Sequence, residues 1–292
     1  MLKISYSLFT PKRYHANRDY DSSNGASDRY WFNIPALVIA NSIFYPESET
    51  IIHVNRDITS HHLAPFLERL ASKTNKLKLC FLDYNYSNTE PTLWRLRPLW
   101  TEDCDSLCRD IDSLPNEVEY RATKAFLDSH YIIHNIRSHP NHNSHLTRIL
   151  AGLCAFKKEC RPHIVHSYDQ FYSMGSSNWG CDQSLLMSYW IDRVGVDFVK
   201  RYFLDTPIPC LGAMEEIIYG FDAGKLPKES YDAVDVSHIE NLNLFNNATS
   251  WCGQPIDARG ELLSKLIAMN TEVAKAVSES LSSSDKAFYG VA

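Results

Sequence analysis

Leu107-Cys108-Arg109-Asp110-Ile111-Asp112-Ser113, closed by Leu114-Pro115-Asn116, is the stretch on which the reading of this chain turns. Two acids flank one apolar residue, with an arginine before them and a serine after. Residues 104–110 read as a short strand, which puts the acids at its carboxyl end. Open α/β sheets bind their ligands at that end. An Asp-x-Asp pair there offers two oxygen ligands to a hard divalent cation, and such a cation neutralises a diphosphate. Taken alone, the same pair also fits two solvated acids at a strand end.

Upstream, residues 3–9 alternate weakly and suit an opening strand, with Ser7 near its end. Two apolar runs, residues 36–45 and 50–55, are separated by Pro46-Glu47-Ser48-Glu49 and read as strands. Residues 62–74 carry Leu63, Phe66, Leu67 and Leu70 at helical spacing. Residues 77–83 read as a buried strand, and Thr89-Glu90-Pro91 as the start of a helix with proline in its first turn. Arg95 and Arg97 lie two apart and so do not share a helix face.

Downstream, Asn116 caps a helix whose first turn holds Glu117 and Glu119, as the macrodipole favours. Val118, Ala122, Ala125 and Phe126 form its core stripe. Residues 131–136 read as a strand and 181–191 as a helix with Asp182 near its N-terminus. Asp182 there is either a capping acid or a carboxylate that deprotonates a hydroxyl. Residues 259–281 read as one closing amphipathic helix, and the last ten residues are expected to be loosely held.

Composition narrows the classes. A chain of 292 residues holds one large domain or two small ones. Its 44% hydrophobic and 22% charged content is ordinary for a soluble globular protein. No apolar run is long enough to span a bilayer, and the opening residues read as a strand rather than a signal peptide. A soluble, cytoplasmic protein is the expectation. A net charge of −6 argues against broad nucleic-acid binding, which needs a basic face. The eight cysteines have no Cys-x-x-Cys spacing and fit buried thiols better than a disulfide frame or a zinc ribbon.

Several further segments follow in order: Trp94-Arg95-Leu96-Arg97-Pro98-Leu99, then the acid pair. After it come His134-Asn135-Ile136-Arg137-Ser138-His139-Pro140-Asn141-His142, Ile149-Leu150-Ala151-Gly152-Leu153 and Gly180-Cys181-Asp182-Gln183-Ser184-Leu185-Leu186. In this order and spacing they resemble nucleotide-sugar-dependent glycosyltransferases of the GT-A fold, in the subgroup carrying Arg-Asp-x-Asp-Ser. The resemblance covers roughly residues 50–190.

It implies an α/β fold in a single GT-A-like (Rossmann-like) domain over residues 1–292, with a mixed central sheet flanked by helices. Residues 1–115 would bind the nucleotide sugar and 116–255 the acceptor, with 256–292 a C-terminal helix and tail. The implied reaction moves a hexosyl or pentosyl group from a nucleoside-diphosphate sugar, such as a UDP-sugar, to a hydroxyl of a glycan acceptor. The implied cofactor is Mn²⁺ or Mg²⁺ on Asp110 and Asp112, with His238 as a third ligand. Arg95, Arg109, Asp110, Arg137 and Gly152 would bind the donor. Gly152 would form the floor under the sugar, where a missing side chain permits close backbone approach. Asp182 would serve the acceptor, and Ser7, Asn55 and Arg56 lie at strand ends near the nucleotide.

Two other functions are open at this point. The histidine cluster over 134–166 suggests a His/Asp metallohydrolase, although Pro140 opposes a helix that would align His139, His142 and His145. A non-catalytic sugar-nucleotide binder on the same fold is the other.

Overall fold

The computed structural model describes residues 1–9, 28–56, 61–83, 91–129, 133–136, 150–163, 167–174, 181–187, 233–239, 253 and 256–292. Among these, the first strand, β1 (Leu2–Leu8), shows how the two sides of the molecule divide. Its alternation sends Ile4, Tyr6 and Leu8 to one face and Ser5 and Ser7 to the other, and all five are buried. A strand covered on both faces belongs inside a layered α/β sheet.

Five further strands join it: β2 (Glu49–Asn55), β3 (Leu77–Leu82), β4 (Asp105–Arg109), β5 (Ile133–Asn135) and β6 (Leu153–Phe156). The sheet order is β3-β2-β1-β4-β6-β5. β1 pairs in parallel with β2 and β4, and β2 with β3. β6 runs antiparallel to both β4 and β5. The sheet is therefore mixed, and the chain is an α/β protein.

The helices on the first face are α1 (Asp28–Trp31), α2 (Ile34–Phe44) and α3 (Ala64–Lys73). α2 corrects the strand expected at residues 36–45. Ten of its eleven residues are buried: all but Ser42. A segment apolar all round is a buried helix as readily as a buried strand, and periodicity alone does not separate them. Pro35 sits in its first turn, where its fixed φ suits a helix start. Asn41, the polar residue facing inward, bonds the Tyr6 hydroxyl and donates to Thr50 Oγ1 at 2.9 Å. It thereby ties the helix to β1 and β2.

Past β3 the chain forms a 3-10 helix, Pro91–Leu96, and then α4 (Pro98–Thr101). α5 (Glu117–Asp128) follows β4, and Asn116 caps it by accepting from the Glu119 amide at 2.8 Å. Glu117 and Glu119 lie in the first turn as expected, Glu119 fully buried, but Val118 is 40% exposed rather than in the core stripe. The inward face is set by Tyr120, Ala122, Thr123, Ala125 and Phe126.

α6 (Tyr168–Ser173) and α7 (Cys181–Met187) lie downstream of β6. Phe171, Leu185 and Leu186 pack with Leu93, Leu96, Cys108 and Phe156 into a second core on the opposite sheet face. The closing helix expected at 259–281 is two helices, α8 (Glu261–Ala268) and α9 (Glu272–Ser280), broken at Asn270 with φ +58°. Asparagine tolerates that left-handed conformation. Thr271 then caps α9, accepting from the Ala274 amide. The last residues are anchored rather than loose: α10 (Ser283–Tyr289) buries Tyr289, whose hydroxyl donates to the Trp31 carbonyl at 3.1 Å. No helix among the described residues is long and apolar enough to cross a membrane.

Candidate functional site

From β1 the chain moves outward to β2 and β3, then crosses back to lay β4 on the other side of β1. Such a reversal opens a crevice at the carboxyl ends of the two central strands. Ser7 lies one residue before the end of one strand and Asp110 follows the other.

Both strands grip the backbone of Arg95. Ser7 Oγ accepts from the Arg95 amide at 3.0 Å and donates to the Thr92 carbonyl at 3.4 Å. Cys108 Sγ donates to the Arg95 carbonyl at 3.3 Å. With its main chain held on both sides, Arg95 extends a side chain only 6% exposed. One terminal nitrogen pairs with Asp110 Oδ1 and the other with Asp182 Oδ2. Its Nε–H is buried without a hydrogen-bond partner among the described residues. Burial disfavours the arginine's charge, yet the facing Asp110 and Asp182 carboxylates outweigh it and raise the guanidinium pKa above its ordinary value. Arg97 goes elsewhere, its guanidinium lying 5.5 Å from the Tyr168 ring centroid.

The two acids differ in access. The Asp110 side chain is 50% exposed and that of Asp182 5%. Asp182 also accepts from the Gln183 amide at 2.8 Å through its other oxygen. Gly152 lies directly against Asp110: a Cβ at this position would overlap the carboxylate. The turn carrying Gly152 is braced by Asn135, whose side-chain oxygen accepts from the Leu150 amide at 3.0 Å. The structure thus brings together Arg95, Asp110, Gly152 and Asp182 from four separate segments.

Arg109 stands apart. It was expected to bind the donor, but its side chain points into the protein, fully buried and paired with the equally buried Glu119. It also donates to Ser113 Oγ at 3.1 Å, and Ser113 in turn donates to the Asp110 carbonyl at 3.1 Å. Arg109 therefore braces the acidic loop from beneath and does not line the crevice. The burial comes from alternation, since residues 107 and 109 share the core face of β4 while 108 turns to the other side.

Asp112 is 9% exposed, and its carbonyl accepts from the Ile256 amide at 3.0 Å, which ties the loop to the C-terminal segment. His238 is exposed, its ring edge-on to Tyr120 with centroids 5.2 Å apart and a nitrogen 3.5 Å from the Phe44 carbonyl. Among the described residues, no group of three or more His, Cys, Asp or Glu is arranged around a metal position. Two carboxylates still suit a Mg²⁺-like ion, which takes one or two protein carboxylates and fills its shell with phosphate oxygens and water.

Arg137, His139, His142 and His145 lie outside the described residues. His134 is buried and stacked on Phe126 with ring centroids 5.0 Å apart. Asn55 is buried, and Arg56 pairs with Asp83 at 2.8 Å on the surface. Sequence reasoning missed the roles of Ser7 and Cys108 as the two supports of Arg95. Their positions at paired strand ends become informative only once the strand order is known. No protein-family model matches the chain, and a search of curated proteins finds none that matches it.

Proposed function

We propose that the chain is a metal-assisted glycosyltransferase acting on a nucleoside-diphosphate sugar, with its donor site at the crevice between β1 and β4. The observation that carries this reading is the convergence of Asp110 and Asp182 on the buried Arg95 at the carboxyl edge of parallel strands. The strand order, with one antiparallel strand beside β4, is compatible with a GT-A-like fold. A cation on Asp110 and Asp112 would offset the charge that builds on the departing diphosphate.

The chain's own residues would do the rest. Arg95 presents positive charge where the diphosphate would lie, and its unused Nε–H is a ready donor to a phosphate oxygen. Gly152 leaves room for the Asp110 carboxylate, which fills the space a side chain would take. Asp182 would orient the attacking hydroxyl or take its proton. Arg137 would add positive charge from the segment after β5.

Asp112→Ala tests this reading. Metal-dependent turnover of the accepted nucleotide sugar, found by screening nucleoside-diphosphate sugars with Mn²⁺, should fall to background while the circular dichroism spectrum is unchanged. Full activity in a folded Asp112→Ala protein would overturn the proposal. Binding of nucleotide sugar with no transfer or hydrolysis for any acceptor would instead favour the non-catalytic binder.

A further inference from the structure

Cys108 and Cys154 face each other across β4 and β6. The two strands run antiparallel, and their register sets these residues directly opposite. Opposed residues point to the same face, with Cα atoms roughly 4.5–5.5 Å apart in either kind of antiparallel pair. That span lies inside the roughly 4.4–6.8 Å that a disulfide bridges without backbone movement. Both cysteines are fully buried, and both are free thiols. Each gives its one hydrogen to a carbonyl beside the crevice. Cys108 Sγ donates to the Arg95 carbonyl at 3.3 Å, and Cys154 Sγ to the Ala151 carbonyl at 3.6 Å. Arg95 carries the guanidinium of the site, and Ala151 precedes the Gly152 that abuts Asp110. Burial, and after it the adjoining Cys108, push the Cys154 pKa well above its ordinary value, while nearby Arg95 pulls the other way.

We propose that Cys108 and Cys154 are a reversible dithiol–disulfide pair whose oxidation by a small peroxide loosens the crevice. One sulfur, as its thiolate, attacks a peroxide oxygen: the O–O bond breaks, an S–O bond forms and one water leaves. The other sulfur then attacks this sulfenic acid, so that the S–S bond forms, the S–O bond breaks and a second water departs. Two thiols lose two hydrogens and two electrons, and hydrogen peroxide takes them up as two waters. A thiol reductant reverses the link by exchange. A disulfide sulfur has no hydrogen to donate. Arg95 therefore keeps the Ser7 bond at its amide and loses the one at its carbonyl. The turn at Gly152 keeps its brace from Asn135 and loses the one from Cys154. Buried thiols supply little thiolate, so the link forms slowly and lags behind oxidation of Cys80, which is partly exposed on β3. The pair acts on the crevice whatever ligand it takes, and so does not depend on the proposed transferase reaction.

The test exposes the folded chain to hydrogen peroxide, blocks the remaining thiols and maps disulfides by peptide mass spectrometry. Oxidation of Cys80 is the gauge that the dose was sufficient. A Cys108–Cys154 link, two hydrogens lighter than the reduced pair and removed by dithiothreitol, is expected. Amide hydrogen exchange should then quicken about fivefold in peptides covering residues 91–97 and 150–152, the effect on local opening of losing one ordinary hydrogen bond. Cys154→Ala should show neither the link nor any peroxide-dependent change in exchange. Cys154→Ser, which keeps a donor for the Ala151 carbonyl, takes its place if the alanine variant does not unfold cooperatively.

Oxidised Cys80 beside an unlinked Cys108 and Cys154, or a link that appears only in urea, would refute the pair. A link that leaves exchange unchanged in both peptides would refute the loosening. Failure to turn over any nucleotide sugar would count against the proposed function alone.

Discussion

Gly152 and Asp110 occupy one space that only a residue without a side chain leaves open. Gly152→Ala would therefore act on the neighbouring carboxylate rather than on its own backbone. A methyl group there must push the Asp110 side chain away from Arg95 and from any cation. Displacements of about 1 Å in a reacting constellation lower rates by roughly a hundredfold. Gly152→Ala should reduce donor turnover by about that factor and weaken Mn²⁺ binding in the presence of nucleotide, both measurable on the same preparation. Unchanged kinetics would mean that the Asp110 position seen here is not the working one. The resemblance made Gly152 a floor for the sugar; in the structure the space its missing side chain leaves is taken by the Asp110 carboxylate.

At the level of elements, the join between β4 and α5 depends on Arg109 and Glu119, both fully buried. Removing one partner leaves the other's charge without compensation, a loss of about 3–5 kcal/mol. Replacing both with apolar residues of similar size is often neutral. Urea denaturation should show Glu119→Leu strongly destabilised and Arg109→Met/Glu119→Leu close to the natural chain. Equal losses in the two variants would show that the pair stabilises through specific geometry rather than charge balance. This join also marks the limit of what the sequence revealed. β4, β2 and the Asn116 cap were readable because alternation and capping are local signals. α2 was not, because an uninterrupted apolar run fits either a buried helix or a buried strand, and only its packing between β2, α8 and α9 decides. Likewise Arg95, Asp110 and Asp182 were named from sequence, but their meeting depends on a crossover from β3 to β4 that no local pattern encodes. The burial of Arg109 was equally hidden, since an arginine beside an acidic motif reads as a ligand contact by default.

Across the whole molecule, acid sensitivity should carry a contribution from His53. This β2 residue is buried, neither ring nitrogen has a hydrogen-bond partner among the described residues, and its register neighbours are Ser7 and Cys80. Burial, reinforced by Arg97 and Lys78, lowers its pKa to about 3. The unfolded chain protonates the same ring near pH ~6.5. The folded value is the lower one, so the contribution is complete above about pH 6.5 and is lost as pH falls toward 3. The slope is about 1.4 kcal/mol per pH unit within that window. His53→Leu should flatten the decline in urea midpoint between about pH 6 and pH 4 by one proton's worth; parallel declines would show that His53 does not remain neutral.

One consequence of the C-terminal packing concerns synthesis. Asn33 accepts from the Ala258 amide and donates to the Ile256 carbonyl, α8 and α9 lie on α2, and Tyr289 reaches back to Trp31. The apolar layer of residues 28–73 thus waits for its cover until residues 256–292, made later, have left the exit tunnel. Nascent chains stalled before that point would display the faces of α2 and α3 that α8 and α9 cover, apolar surface of the kind that chaperones recognise.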